Sequence, residues 1–104
     1  MASKKNSEED QKEKSSEGSY VLPRNLEIAD IDKAYQDVVK FIGNSYEKFV
    51  LDAGEVALID TAGVQFLLQL VRSLKATGCE LSWTNDSIQV YQMAAELGVN
   101  DELE

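Results

Sequence analysis

The sequence has no histidine and only one cysteine, one proline and one tryptophan among its 104 residues. Without histidine there can be no Ser-His-Asp triad, no Cys-His pair and no histidine-rich metal site. The single cysteine, Cys79, excludes CxxC redox chemistry, a cysteine-based zinc site and an intrachain disulfide. The composition therefore implies no cofactor and no metal, and we predict that the protein is not an enzyme.

Basic residues and long apolar segments are also scarce. The chain has 10 basic and 19 acidic side chains and a formal net charge of -9. This charge disfavours nucleic-acid binding, which requires Lys and Arg to displace counterions from phosphates. No apolar run approaches the ~18 residues of a membrane span, and the N-terminus lacks the apolar core of a signal peptide. We therefore predict a cytoplasmic protein without direct membrane insertion, and the oligomeric state stays open.

The N-terminal segment, residues 1–19, has only Met1 and Ala2 as apolar residues. Its mixture of acids and lysines buries too little apolar surface to offset the conformational entropy lost on folding. We predict a disordered polar tail over residues 1–19, which is either a tether or a solvated leader without a role. The folded domain is then expected over residues 20–104.

Apolar runs alternate with helical patterns along the predicted domain. The runs predict strands at 20–22 with a continuation at 26–28, and at 49–51, 57–59 and 80–84, and Pro23 interrupts the first of them. Helical spacing predicts helices at 31–42, 61–77 and 87–97. We predict an α/β fold with a small mixed or mostly parallel sheet of three to four strands with covered faces. Three or more helices are expected to pack against this sheet.

The segment Asp60-Thr61-Ala62-Gly63 lies between a predicted strand and the strongest predicted helix. Thr61 or Asp60 can accept a hydrogen bond from the free N–H groups of the first helical turn. Glycine in a helix costs roughly 0.5–1 kcal/mol relative to alanine, so at Gly63 we expect another backbone or a ligand to approach closely. One interpretation is a plain N-cap beside a packing glycine. The other is that Thr61 accepts a phosphate, which would add about -1.5 to -2 charges beside Asp60 at the positive end of the helix.

Four segments carry a family resemblance, in order along the chain: residues 22–27, 49–52, 59–68 and 95–99. In this order and spacing, residues 22–99 resemble the STAS domain, the fold of bacterial anti-sigma factor antagonists. Asp60-Thr61-Ala62-Gly63-Val64 is similar to the family's Asp-Ser/Thr-x-Gly-Leu signature. The family usually has another strand before the segment at Leu22. Residues 1–19 are too polar to supply that strand, so we expect it to be missing or reduced to a stub at Tyr20-Val21.

The resemblance implies that a partner kinase phosphorylates Thr61. The unphosphorylated form would bind an anti-sigma factor that is also a serine/threonine kinase, and would thereby free a sigma factor. A threonine in place of serine is found in other branches of the family. These include stressosome proteins, chemotaxis-linked STAS proteins and the STAS subunit of a phospholipid-transport ABC system.

We predict a partner-binding site at the start of the signature helix, formed by Asp60, Thr61, Ala62, Gly63, Gln65, Phe66 and Gln69. Asp60 would orient the Thr61 hydroxyl or contact the kinase, and Ala62 and Gly63 would keep the surface flat. Phe66 either extends this surface or packs beneath a neighbouring helix.

Three alternatives stay open. The first is a constitutive subunit of an assembly, such as an ABC-transporter complex in which Thr61 touches the ATPase and is never phosphorylated. The second is a nucleotide-binding STAS module, for which the sequence has no motif. The third is an enzyme, which the lack of histidine and of clustered catalytic groups disfavours.

Overall fold

Strands and helices alternate along residues 17–104, the part of the chain that the computed structural model describes. The strands of this part are β1 (Glu17–Val21), β2 (Asn25–Leu26), β3 (Lys48–Asp52), β4 (Leu58–Ile59) and β5 (Glu80–Thr84). Its helices are α1 (Ile31–Val39), α2 (Thr61–Ala76), α3 (Ile88–Leu97) and α4 (Asn100–Leu103), with a 3₁₀ turn at Ile28–Asp30 before α1. The predicted α/β fold class is confirmed.

The strands form two parallel groups. One sheet has the order β1-β3-β5, and β2 pairs separately with β4. Within β3, Phe49 and Leu51 are buried whereas Lys48 is exposed, and β1 and β5 show a similar alternation. A parallel sheet covered on both faces would be apolar throughout its strands. Within residues 17–104, side chains therefore pack against only one face of this sheet. The prediction that both faces are covered is not met in this part of the chain.

Strand β1 corrects the predicted start of the folded domain. It begins at Glu17, three residues before the predicted boundary at Tyr20, and pairs with β3 in parallel from Glu17↔Lys48 to Val21↔Asp52. Gly18 allows this pairing because a side chain there would collide with the rings of Tyr46 and Phe49. The segment Tyr20-Val21, expected to be at most a stub, is thus the end of a five-residue strand. The remainder of the predicted tail, residues 1–16, lies outside the described residues.

The core lies between the covered face of the sheet and helices α1 and α2. Its largest fully buried side chains come from β2, β3, α2 and the loop between β1 and β2: Phe49, Phe66, Leu22, Leu26, Leu51, Leu67, Leu74, Val64 and Val71. Around β1 the Tyr20 hydroxyl donates to Asp37 Oδ2 at 3.3 Å. Burial, together with the nearby Asp37 carboxylate, raises the pKa of the Tyr20 phenol well above its usual range. Over residues 17–104, the helices are too short or too polar to cross a bilayer.

Candidate functional site

Asp60 is the N-cap of α2 and joins two distant segments of the chain. Its Oδ1 accepts the backbone N–H of Gly63 at 3.0 Å, and its Oδ2 accepts the N–H of Ile28 at 2.9 Å. These two hydrogen bonds, with that from Ile28 the larger influence, lower the pKa of the Asp60 carboxyl. Both carboxylate oxygens are thus occupied by backbone groups. Among residues 17–104, no hydrogen bond links Asp60 to the Thr61 hydroxyl, which was one of its two predicted roles.

Gly63 brings the backbone of β2 into contact with the first turn of α2. Strand β2 pairs with β4 so that Leu26 lies opposite Ile59, and the Asp60 N–H donates to the Leu26 carbonyl at 3.3 Å. A Cβ at position 63 would collide with that same carbonyl oxygen and lie 2.7 Å from Ile59 Cγ1. The predicted close approach of another backbone at Gly63 is therefore confirmed.

The outward side of α2 presents a row of polar side chains. Thr61, Gln65 and Gln69 are exposed and follow one another at intervals of four residues, so they lie along one line of the helix. Ala62 and Asp60 are half-buried beside this row. Over residues 17–104, the Thr61 hydroxyl forms no hydrogen bond. We call this set, Asp60, Thr61, Ala62, Gln65 and Gln69, the α2 surface.

Phe66 and Gly63 are excluded from the α2 surface by burial. Phe66 is 1% exposed, and its ring meets that of Tyr35 edge-on, with centroids 5.1 Å apart and planes at 89°. Helix α1 therefore packs over the side of α2 on which Phe66 lies. The interpretation of Phe66 as a partner contact is corrected to a core residue. Gly63 supports the site through its close packing on Leu26 and the hydrogen bond it donates to Asp60.

Sequence reasoning missed one exposed apolar residue beside the α2 surface, Ile28. Ile28 is 74% exposed in the 3₁₀ turn, although its backbone is held by Asp60. The pattern Leu26-Glu27-Ile28 was interpreted as a strand, in which Ile28 would share the buried face of Leu26. Only Leu26 is buried, because β2 ends there and the chain turns toward α1. In the sequence, Pro23 was the only feature that indicated a short strand here.

The chemistry available at the α2 surface is that of an accessible hydroxyl with Ala62 and two neutral glutamines on one side and the Asp60 carboxylate on the other. Within residues 17–104, no three His, Cys, Asp or Glu side chains lie where they could hold a metal ion. The Asp60 carboxylate, which stands nearest in sequence, is already bound by two N–H groups. The arrangement therefore leaves one exposed hydroxyl, that of Thr61, at the start of a row of exposed amide side chains.

A model of a protein family described as "Mlab, STAS domain" matches residues 25–104. The chain belongs to the STAS domain family. The family model begins at Asn25, within β2, and therefore includes the whole α2 surface. No curated protein shows a significant sequence match to this STAS domain.

Two solved structures share the fold of this STAS domain. One is the overall structure of SLC26A9, with a TM-score of 0.67 and 21% identity over 83% of this chain. The other is the murine Slc26a9 anion transporter in its inward-facing state, with a TM-score of 0.64 and 23% identity over 80% of this chain. The STAS domain spans only 16% and 14% of those transporter chains. The likeness is therefore one of fold, to a small part of a much longer protein.

Proposed function

We propose that this STAS domain is a cytoplasmic, non-catalytic regulatory module that binds a protein partner through the α2 surface. Phosphorylation of Thr61 by a partner kinase switches that binding off. The observation that carries the proposal is the exposed Thr61 hydroxyl at the first residue of α2. It stands on a short, firmly held segment, since Asp60 and Gly63 fix the backbone on either side of it.

The α2 surface suits a protein partner because little must be desolvated to reach it. Ala62 adds almost no bulk, and Gln65 and Gln69 supply neutral donors and acceptors along the helix. Ile28 adds an exposed apolar contact beside the row. Such a mixture of apolar and hydrogen-bonding groups without buried charge is typical of the central part of protein interfaces.

A phosphate on Thr61 would change this surface through its charge. It would place about -1.5 to -2 charges next to Asp60, whose lowered pKa keeps it ionised at neutral pH. Like-charge repulsion and desolvation of the phosphate then oppose docking. The phosphate would also compete with Asp60 for the N–H groups of the first turn, which weakens the hydrogen bond that Gly63 donates to Asp60. Both effects act against a partner that covers Thr61.

The STAS resemblance supports an anti-sigma factor with serine/threonine kinase activity as the partner. Paired variants test this. Thr61→Glu should lose most partner binding with the fold intact, and Thr61→Ala should bind whether or not the kinase is active. Ser45→Glu adds the same charge to an exposed position in the loop between α1 and β3, away from this row, and should bind normally. The readout is co-purification from the native host together with intact-mass analysis of the protein.

The switch is contradicted if protein from its native host never carries phosphate at Thr61, or if Thr61→Glu and Ser45→Glu bind equally well. Circular dichroism of each variant separates loss of binding from loss of fold. A phosphate on a residue other than Thr61 would equally contradict the assignment of this hydroxyl.

A second candidate is a constitutive subunit of a larger assembly, such as a phospholipid-transport ABC complex or a chemotaxis-linked signalling complex. Two observations favour it. The matching family model is described by the name Mlab, and both solved neighbours are transporters in which this fold is one part. Here Thr61 is an interface contact and is not modified. A stable complex with a transporter ATPase, unchanged by phosphatase treatment and weakened by Thr61→Ala, would favour this candidate over the switch.

A further inference from the structure

A second surface lies at the carboxyl ends of β3 and β5, where ligands commonly bind in open parallel sheets. A groove of about 790 Å³ opens there between the loop after β3, the end of β5, helix α3 and the C-terminal residues. Its apolar lining includes Ala53, Val56, Trp83, Ile88, Tyr91 and Leu103. We call it the α3 groove. It shares no residue with the α2 surface.

Helix α3 leaves apolar side chains uncovered at the rim of this groove. Ile88 and Tyr91 are 62% and 64% exposed, and they lie three residues apart on one side of the helix. On the adjoining side of α3, Val90 and Ala94 are buried in the core. Within residues 17–104, nothing covers the outer apolar strip. Apolar side chains of this size, placed together beside an apolar groove, mark a surface that a partner buries.

Both charged side chains that line the groove are acidic; beyond its lining, Lys75 Nζ donates to the Glu104 carbonyl at 2.9 Å and Arg72 forms a salt bridge with Glu102. Residues 76–104, which form β5, α3 and α4, have six acidic side chains and no Lys or Arg: Glu80, Asp86, Glu96, Asp101, Glu102 and Glu104. Two of them, Asp86 and Glu104, line the groove itself, and its lining includes no basic side chain. Such a surface repels nucleic acids and anionic lipid headgroups and attracts cationic groups.

We propose that the α3 groove binds a basic amphipathic helix of a protein partner. The apolar side of that helix contacts Ile88 and Tyr91 and enters the groove, and its Lys and Arg side chains face Asp86 and Glu104. This is the helix-in-groove mode of peptide recognition, with charge complementarity at the rim. Because the groove and the α2 surface are formed by different residues, the STAS domain can hold a partner here independently of Thr61.

The protein has a built-in reporter for this binding. Trp83 is its only tryptophan, lines the groove, and donates from Nε1 to the Leu103 carbonyl at 2.7 Å. The probe is a tryptophan-free peptide of about 14 Leu and Lys residues arranged in an amphipathic helical pattern. Titration into the full chain should change the Trp83 emission saturably, and added salt should weaken the affinity. A peptide of the same pattern with Glu in place of Lys should not bind.

Two variants locate the binding. Ile88→Lys and Tyr91→Lys should each weaken the Leu/Lys peptide by about tenfold or more, because each removes a central apolar contact. Val39→Lys adds the same charge at a 70% exposed valine on α1 and should leave the affinity unchanged. Thr61→Glu should also leave it unchanged, so this proposal and the Thr61 switch fail separately.

Three results would overturn the proposal. The first is equal affinity for the Lys and Glu peptides, and the second is an affinity insensitive to both Ile88→Lys and Tyr91→Lys. The third is a Trp83 response to dodecylamine below its micelle concentration without any response to the Leu/Lys peptide. That last result would identify a cavity for a small cationic amphiphile in place of a helix.

Discussion

The α2 surface and the α3 groove both lie at the carboxyl ends of parallel strands, yet they are built in opposite ways. At the start of α2, the residues nearest Thr61 also hold the fold together through the Asp60 hydrogen bonds and the Gly63 contact. At the groove, Ile88 and Tyr91 stand in solvent. Only at the first surface do the residues beside the proposed recognition site also stabilise the fold. Substitutions at the two places should therefore behave differently.

The largest effect is expected for Phe66→Ala, on the α2 side of the comparison. Removing this fully buried ring and its edge-on contact with Tyr35 should lower the free energy of unfolding by about 3–5 kcal/mol. Urea denaturation measures this free energy. The control is the neighbouring exposed residue: Gln65→Ala should change the free energy of unfolding by no more than about 0.5 kcal/mol. If Phe66→Ala instead lost partner binding at unchanged stability, Phe66 would be a contact residue after all.

The next effect is expected for Gly63→Ala. Alanine normally stabilises a helix relative to glycine. Here its Cβ would collide with the Leu26 carbonyl oxygen, which belongs to the backbone and cannot move away by a change of rotamer. We expect a loss of about 1–3 kcal/mol in urea denaturation. Gly43→Ala is the matched control, because a Cβ there meets nothing within 4 Å. A Gly63→Ala protein more stable than its parent would show that β2 does not pack closely against the first turn of α2.

A smaller effect should depend on pH and is expected for Asp60→Asn. The pKa of Asp60 is lowered in the folded state, so its contribution to stability is complete above the unfolded value of about 3.9. The contribution is lost as pH falls through the folded pKa. The stability of the parent should therefore fall more steeply below about pH 4 than that of Asp60→Asn. Urea unfolding midpoints measured across the acid range test this. Asp32→Asn removes an exposed carboxylate from α1 and should follow the parent curve.

The smallest effect is expected on the groove side. Ile88→Ser and Tyr91→Ser each replace a largely exposed apolar side chain, so stability should change by no more than about 0.5 kcal/mol. Thermal and urea denaturation of each variant provide the measurement. A loss of 2 kcal/mol or more would mean that α3 is anchored through this strip, and the contrast between the two surfaces would disappear.

Local patterns were sufficient to predict α2. Its apolar periodicity, the Asp60 cap and Gly78 predicted residues 61–77, and the helix spans Thr61–Ala76. Strand β1 could not be predicted in this way. Glu17 and Ser19 belong to the strand because their main chain pairs with β3, and they have no apolar side chains that would indicate it. Phe66 was ambiguous for a related reason. Helical spacing gives the direction of a side chain, but only the tertiary structure shows that α1 covers it.

The α3 groove was beyond sequence reasoning altogether. Its lining comes from residues on both sides of α2 in the chain, from Ala53 to Glu104. The excess of acidic residues was visible in the composition, and so was the lack of Lys and Arg after Lys75. Only the structure shows that β5, α3 and α4, which have this composition, surround one groove.

The all-parallel pairing of strands also has a consequence for how the chain folds. Over residues 17–104, each paired strand finds its partner about 30 residues away, and none pairs through a hairpin. Every ladder must therefore close a long loop before its first hydrogen bond forms, which makes sheet formation slow relative to helix formation. Helix α2, with the longest run of local contacts, is expected to provide the surface on which the strands then assemble.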